Sequence, residues 1–284
     1  MGSKREPPSG TKQRTVVAFP SAQQGEPYEQ LAAAIATPIY NRVLKREVGH
    51  GDTDYEVYLQ TEQLLSAQTP ANDLVHHDEM MFQLVHQAQE LWLKLLGHEA
   101  TMVVKHLDGD DFWDAAATLE RMTRIMAQLD AELEIIDTIT PSSFLVIRRH
   151  LGDGSGQQSP GWNQLHMAAR YLEGALTRAL LRRGYLLLDV YRRDDIAPEL
   201  LRVCELLTDL DANHQKWMVH HFLLVRRTIG IGRTVKALDG FPTNALGPRM
   251  TRPLFPALWE VRVQLTGTWD REGGTEPGSR QGSA

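Results

Sequence analysis

The sequence has little of several features that define common protein classes. It contains one cysteine, Cys204, which excludes an internal disulfide and a zinc cluster built from cysteines. Thirty Lys and Arg stand against 36 Asp and Glu, for a net charge of -6, and the chain has no basic stripe of the kind that binds nucleic acid. No apolar run approaches the roughly 18 residues of a membrane span, and no secretory signal is visible. We therefore expect a cytoplasmic protein with neither nucleic acid nor membrane as a partner.

Strand signals are also scarce, because β-branched residues do not cluster and few stretches alternate between polar and apolar residues. Helical periodicity is common instead. It predicts helices near residues 27–47, 55–67, 74–106, 110–137, 141–151, 161–183, 196–229 and 253–265. The two ends, 1–26 and 266–284, are rich in Gly and polar residues and predict disordered tails. We expect one all-α domain over residues 27–265.

The segment "HHDEMMFQLVHQAQELWLKLLGHE", residues 76–99, is apolar enough for a core helix yet carries several histidines and acids. Such groups are costly to bury without partners. On a helix, Phe82 and His86 share a face with Glu90. A core histidine bonded to a backbone carbonyl or a carboxylate explains His86 as readily as a functional histidine does. Acids in the first turn, Asp78 and Glu79, are favoured by the helix dipole and need no function.

A second histidine-bearing segment is "NHQKWMVHHFLLVRRTIG", residues 213–230. His220 and His221 are adjacent and therefore point about 100° apart on a helix. The side of His221 is the more apolar, so His221 is predicted to face inward. A neutral imidazole there could bind a metal ion, and a hydrogen-bonded core histidine is the alternative.

Arg148 and Arg149 precede a Gly/Ser loop, "HLGDGSGQQSPG". An arginine fork beside loop N–H groups suits a carboxylate, and a solvated basic pair is the alternative. The sequence shows no Glu-x-x-His pair of di-iron bundles. It also shows no H-E-x-x-H, P-loop or G-x-S-x-G motif.

Four segments in order resemble the tryptophan 2,3-dioxygenase family over about residues 54–265. They are "YEVYLQTEQLLSAQ", "HHDEMMFQLVHQAQELWLKLLGHE", "TPSSFLVIRRHLGDGSGQQS" and a late-helix histidine followed by "FPALWEVR". The resemblance implies an all-α helical bundle that encloses a pocket for haem b. It also implies an enzyme, an oxidoreductase that uses dioxygen on an indole amino acid. A homo-oligomer, dimer or tetramer, is implied as well.

The resemblance assigns roles to individual residues. His221 resembles the axial ligand of the haem iron. His86 resembles the histidine that meets the indole N–H, and Arg148 the arginine that pairs with the substrate carboxylate, so these two are the candidate catalytic residues. The implied substrate-binding residues are Phe82, His86, Tyr55, Tyr58, Phe144, Arg148 and Thr234.

The chain departs from the family pattern at two substrate-holding positions. Phe144 stands where a tyrosine is usual, four residues before the arginine. The segment "GRTVKALDGFPTNALG" stands where a Gly-Thr-Gly-Gly-Ser loop is usual, with Thr234 as the nearest threonine. The residues that the resemblance assigns to the haem side, His86 and His221, match the family pattern. These departures predict a divergent oxygenase of secondary metabolism, which inserts one oxygen atom into tryptophan or a modified tryptophan and forms a 2-oxindole with an external reductant.

Three alternatives stay open at this point. The first is an ordinary tryptophan 2,3-dioxygenase that forms N-formylkynurenine. The second is a tyrosine hydroxylase of the same superfamily. The third is a haem-binding protein without catalysis, against which the retained His86 and Arg148 argue, because a carrier needs no carboxylate clamp.

Overall fold

The computed structural model describes residue 31 and residues 53–193 and 195–267. The chain divides between Gln68 and Thr69 into two compact units. Across the described residues the regular structure is helical, and strand pairing is limited to one isolated bridge, Lys236 to Pro242. The predicted all-α fold is confirmed. The helix predicted over 27–47 and nearly all of both tails lie outside the described residues, except Leu31, and the single domain over 27–265 stays a prediction.

The first unit contains two short helices, α1 (Asp54–Leu59) and α2 (Thr61–Leu65). Thr53 and Glu56 form a reciprocal capping box at the start of α1. The single helix predicted over 55–67 was wrong at Gln60, which has a left-handed φ of 53°. The Gln60 side-chain amide donates to the Val57 carbonyl at 2.6 Å, so the break is held by a local hydrogen bond.

The second unit contains the long helices. In chain order they are α3 (Asp78–Asp108), α4 (Phe112–Ile136), α5 (Pro141–Arg148), α6 (Pro160–Arg182), α7 (Leu187–Arg192), α8 (Pro198–Thr228), α9 (Gly247–Met250) and α10 (Pro256–Gly267). Helix α4 packs against both α3 and α8, and α3 also packs against α6. The long helices confirm the periodicity to within a few residues at each end, whereas the short α7 and α9 were not predicted.

The core of this unit lies between those long helices. Leu93 and Leu96 of α3, Leu119 and Leu129 of α4 and Leu207 of α8 are 0–1% exposed. Burial of each such side chain contributes roughly 1.5–3 kcal/mol. The interlocked apolar faces therefore fix α3 and α8, the two helices that carry the candidate histidines.

Helix α6 approaches α3 closely at its first turn. A Cβ atom on Gly161 would lie 2.6 Å from Cβ of Leu93, so only glycine fits there. Glu90 of α3 accepts hydrogen bonds from the Gly161 N–H at 3.0 Å and from the Ser159 hydroxyl. The first N–H groups of a helix have no partner within it and attract negative charge. The acid inside the core helix thus caps a neighbouring helix.

Some helix ends have the capping residues and hydrogen bonds that are typical of such ends, and others do not. Thr140 caps α5 by accepting from the Ser143 N–H, with Pro141 in the first turn. Gly230 ends α8 with a φ of 81°. Asp111 occupies the N-cap of α4 but makes no capping hydrogen bond from its side chain. None of the helices in the described ranges is long and apolar enough to cross a membrane.

Candidate functional site

His86 of α3 is a neutral histidine whose tautomer is set by its own helix. Its Nδ1 lies 2.7 Å from the Phe82 carbonyl oxygen. A carbonyl can only accept, so Nδ1 carries the hydrogen and Nε2 keeps its lone pair. Desolvation by burial lowers the pKa of His86, against the Phe82 hydrogen bond and the charge of Glu90. The residue as a whole is nevertheless exposed, and Nε2 has no hydrogen-bond partner among the described residues, so it is available to a donor.

Two phenylalanines from different helices line the same place. The Phe82 ring centroid lies 4.2 Å from that of His86. The Phe144 ring, from α5, lies 5.9 Å from that of Phe82. Both are partly buried against the core. The two rings form an apolar wall beside Nε2 of His86. This nitrogen has no hydrogen-bond partner among the described residues.

His221 of α8 is also a neutral imidazole. Burial lowers its pKa to about 4, with further lowering from His86 and His220. His86 and His221 are therefore within electrostatic range of each other. The Trp217 ring stacks on the His221 ring at 5.0 Å with an interplanar angle of 7°, which fixes the ring plane. No described residue makes a hydrogen bond to the imidazole of His221, so a ring nitrogen is free to coordinate a metal.

The neighbouring His220 is in a different setting. Its Nδ1 lies 2.9 Å from Oδ1 of Asp130, and its Nε2 lies 2.9 Å from Oδ2 of Asp137. Burial acts to lower the pKa of His220, but the hydrogen bonds to Asp137 and Asp130 outweigh it and raise the pKa. Both ring nitrogens are hydrogen-bonded, one to Asp130 on α4 and the other to Asp137 at the C-cap of α4, so His220 is not free to bind a metal.

Arg148, at the end of α5, contacts the segment that follows α8. Its Nη2 donates to the Lys236 carbonyl at 2.5 Å. Its side chain makes no other hydrogen bond to the described part of the chain. Arg149 is exposed. The structure thus brings the predicted arginine to the segment in which the sequence departs most from the family pattern.

The remaining predicted residues lie at exposed positions. Tyr55 and Tyr58 are on α1 in the first unit, and Thr234 is on the segment after α8. The structure brings together four of the predicted residues within the second unit: Phe82, His86, Phe144 and His221. The roles of Tyr55, Tyr58 and Thr234 stay predictions.

Sequence reasoning placed Trp217 on the same helix face as His221 but assigned it no role. Trp217 stacks on His221 and also packs on Trp162, with ring centroids 4.0 Å apart. The spacing of four residues between Trp217 and His221 was a usable signal, since such residues share a helix face. In the described ranges, no group of three or more His, Cys, Asp or Glu could hold a metal ion. Any metal at His221 must therefore draw its other ligands from outside these side chains, as haem does.

Comparison with known proteins identifies the class. A family model described as "Tryptophan 2,3-dioxygenase" matches residues 42–169. The tryptophan 2,3-dioxygenase of Xanthomonas euvesicatoria pv. vesicatoria (strain 85-10) is 30% identical over 265 residues, which is 76% of this chain and 88% of the relative. That of Anaeromyxobacter dehalogenans (strain 2CP-C) is 32% identical over 260 residues, 74% of this chain and 96% of the relative.

With the all-α fold, these similarities place the chain among the oxidoreductases, as an oxygenase. The chain belongs to the tryptophan 2,3-dioxygenase family. The family and the enzyme class predicted from the sequence are confirmed.

Proposed function

We propose that this enzyme uses haem and dioxygen to insert both oxygen atoms into the indole ring of tryptophan, forming N-formylkynurenine. The observation that carries the proposal is the pair of neutral imidazoles, His86 and His221, within electrostatic range of each other beside an apolar wall. The relatives are described as tryptophan 2,3-dioxygenases. That description supports dioxygenation over the insertion of one atom that the sequence departures predicted.

The side chains fit haem b. His221 offers a neutral imidazole without a hydrogen-bond partner among the described residues, held in plane by Trp217. A single histidine is a common protein ligand of haem iron. When bound, haem supplies an iron at which dioxygen is activated.

His86 orients the indole in this proposal. Its Nδ1–H donates to the Phe82 carbonyl, so Nε2 is the atom that accepts a hydrogen bond from the indole N–H. The lowered pKa keeps the ring neutral near pH 7. A protonated ring would have no acceptor, so the fixed tautomer matters as much as the position. The rings of Phe82 and Phe144 cover the apolar part of the indole.

Arg148 binds the substrate carboxylate. A guanidinium has five N–H donors, and the Lys236 carbonyl takes one of them. The others can form the paired, charge-assisted contact that carboxylates favour. Tyr55, Tyr58 and Thr234 complete the proposed substrate contacts on the family resemblance alone.

One observation favours a second candidate, monooxygenation to a 2-oxindole. Phe144 packs on Phe82 as an apolar residue, and its side chain has no hydroxyl to help hold a carboxylate. Insertion of the second atom needs the intermediate to stay in register, and a misplacement of about 1 Å can slow a reaction roughly a hundredfold. An external reductant would then be consumed.

The deciding experiment is mass spectrometry of products after incubation with tryptophan and labelled dioxygen, with and without excess ascorbate. A product with two labelled atoms, formed without continuing reductant, supports dioxygenation. A product with one labelled atom, formed only with continuing reductant, supports the second candidate. A protein that binds haem but forms neither product contradicts both.

A dimer or tetramer is proposed on the same resemblance. It is checked by light scattering of the purified protein. The cytoplasmic location stays a prediction.

A further inference from the structure

We propose that residues 231–243, here called the latch loop, position Arg148 for the substrate carboxylate, and that Asp239 is the positioning residue that holds the latch loop in place. The inference rests on the proposed function, because it takes Arg148 as the carboxylate-binding residue. It goes beyond that function in naming what orients the arginine. Three observations carry it.

The latch loop is closed on itself by hydrogen bonds. Thr243 is 2% exposed, and its Oγ1 accepts from the Gly232 N–H at 3.1 Å. The Thr243 N–H donates to the Val235 carbonyl at 2.9 Å, and the Ala237 N–H donates to the Phe241 carbonyl at 2.8 Å. A segment with its backbone groups paired in this way presents its remaining carbonyls in defined directions.

One of those carbonyls meets the arginine. The Lys236 carbonyl accepts from Nη2 of Arg148 at 2.5 Å, a hydrogen bond strengthened by the arginine charge. Arginine is long and loses rotamer freedom when it binds a ligand. Holding one N–H on a fixed carbonyl removes part of that freedom before the substrate arrives. Phe144, one turn earlier on α5, has no polar side-chain atom that could do this.

Asp239 caps the turn that follows Lys236 within the latch loop. Its Oδ1 accepts from the Phe241 N–H at 3.0 Å. The Ser155 side chain and the Phe241 N–H both favour the charged carboxylate and hold the pKa of Asp239 below its usual range. Ser155 belongs to the Gly/Ser segment that follows α5, where its side chain caps the turn Gly156–Gln158.

The turn that Asp239 caps follows Lys236 directly, and the Lys236 carbonyl is bonded to Arg148. If Asp239 is lost, the latch loop keeps its hydrogen bonds around Thr243 but loses the hydrogen bond that Asp239 accepts from the Phe241 N–H. The Lys236 carbonyl is then free to drift from Arg148, and the arginine gains rotamers that do not suit the carboxylate.

The first test uses trypsin on the intact protein. The Lys236–Ala237 bond has a lysine in the position that trypsin requires, and its carbonyl is the one that Arg148 holds. Cleavage needs local release of that backbone. Arg148→Ala and Asp239→Ala should each speed cleavage after Lys236 by about threefold or more, measured by mass spectrometry of fragments. Asp239→Asn should cleave at the wild-type rate, because its amide oxygen can still accept from the Phe241 N–H.

The matched control is Asp153→Ala. Asp153 lies in the Gly/Ser segment after α5, is exposed, and makes no side-chain hydrogen bond to a described residue, so its replacement removes one negative charge without removing a hydrogen bond of the latch loop. It should cleave at the wild-type rate. Unchanged cleavage in both Arg148→Ala and Asp239→Ala, or equal acceleration in Asp153→Ala, overturns the inference.

The second test uses the haem-loaded enzyme with two ligands. Asp239→Ala should raise KM for tryptophan about tenfold, about 1.4 kcal/mol, with kcat within about twofold. The inhibition constant of tryptamine, which lacks the carboxylate, should not change. General damage to the fold would affect both ligands, so an equal change for tryptamine overturns the inference. If the wild-type enzyme does not turn over tryptophan, the proposed function fails, and the trypsin digestion still decides whether the latch loop holds Arg148.

Discussion

Two adjacent histidines, His220 and His221, have pKa values shifted in opposite directions because of what lies beside each imidazole. His220 is bracketed by Asp130 and Asp137, which raise its pKa above the usual range against the effect of burial. Among the described residues no carboxylate contacts the His221 ring, which stacks on Trp217, and burial lowers its pKa to about 4. Carboxylates engage both ring nitrogens of His220, so His221 is the one of the two that can serve as a metal ligand.

At the residue scale, Arg148→Ala should weaken binding of tryptophan while haem content stays unchanged. Losing a charge-assisted contact costs about 1.5–3 kcal/mol, which corresponds to roughly tenfold to over a hundredfold in apparent affinity. KM for tryptophan and the Soret absorbance measure the two quantities. The control is Arg149→Ala, which removes the exposed neighbour and should behave as wild type. If an indole without a carboxylate is turned over as well as tryptophan, this role is wrong.

His214 makes a second residue-scale prediction, on acid stability. It is 1% exposed, and neither ring nitrogen has a hydrogen-bond partner within the described chain, although Nδ1 lies 3.9 Å from Oδ1 of Asp211. Desolvation by burial, with His166, lowers its pKa from 6.5 to about 4, against the charge of Asp211. Between these values the unfolded chain binds a proton that the folded protein does not. The free energy of unfolding is therefore unaffected by protonation of His214 above about pH 6.5. It falls by up to about 3 kcal/mol as the pH is lowered towards 4.

The measurement is urea unfolding of wild type and His214→Phe from pH 7.5 to pH 4.5. The variant should lose less stability across this range, because it has no imidazole to protonate. Its stability at pH 7.5 is the reference for any change in packing. Parallel curves for the two proteins would show that His214 does not titrate in this range.

At the scale of elements, the joint between α3 and α6 requires a glycine. Gly161→Ala places a Cβ atom 2.6 Å from Cβ of Leu93 and 2.8 Å from Oε2 of Glu90, so the helices must move apart. Overpacking of this kind costs about 1–3 kcal/mol. Thermal and urea unfolding should show the loss.

Gly174→Ala, on the same helix, is the control. Its Cβ would lie 3.5 Å from a flexible Arg178 nitrogen, an ordinary contact. Replacing a helical glycine by alanine should then stabilise the protein by roughly 0.5–1 kcal/mol. Equal effects of the two substitutions on stability would mean that the close contact between Gly161 and Leu93 does not require glycine.

At the scale of the whole molecule, haem binding and folding should be linked. A ligand that binds only the folded protein raises its stability, so haem should raise the Tm of the wild-type protein and give a Soret band. His221→Ala should lose both effects or convert the band to a form without a histidine ligand. His220→Gln should keep both, because His220 is engaged with Asp130 and Asp137. Equal loss in the two variants would exclude His221 as the specific ligand.

Local patterns were enough to predict the long helices and several of their ends. An apolar stripe repeating every three or four residues specifies a helix whatever it packs against, and Thr140 with Pro141 marks a helix start within four residues of chain. The four segments that resemble the tryptophan 2,3-dioxygenase family, most clearly across residues 55–100, were enough to indicate the family. The break at Gln60 was missed, because a left-handed glutamine has no strong sequence signal.

Only the tertiary structure decided which polar groups meet. Glu90 caps a helix that begins about 70 residues later, His220 finds Asp130 at a separation of 90 residues, and Arg148 finds the Lys236 carbonyl at a separation of 88. Helical periodicity relates residues three and four apart and says nothing about such pairs. The packing of α4 against α3 and α8 determines them, since the apolar faces that bury together carry their polar neighbours into contact.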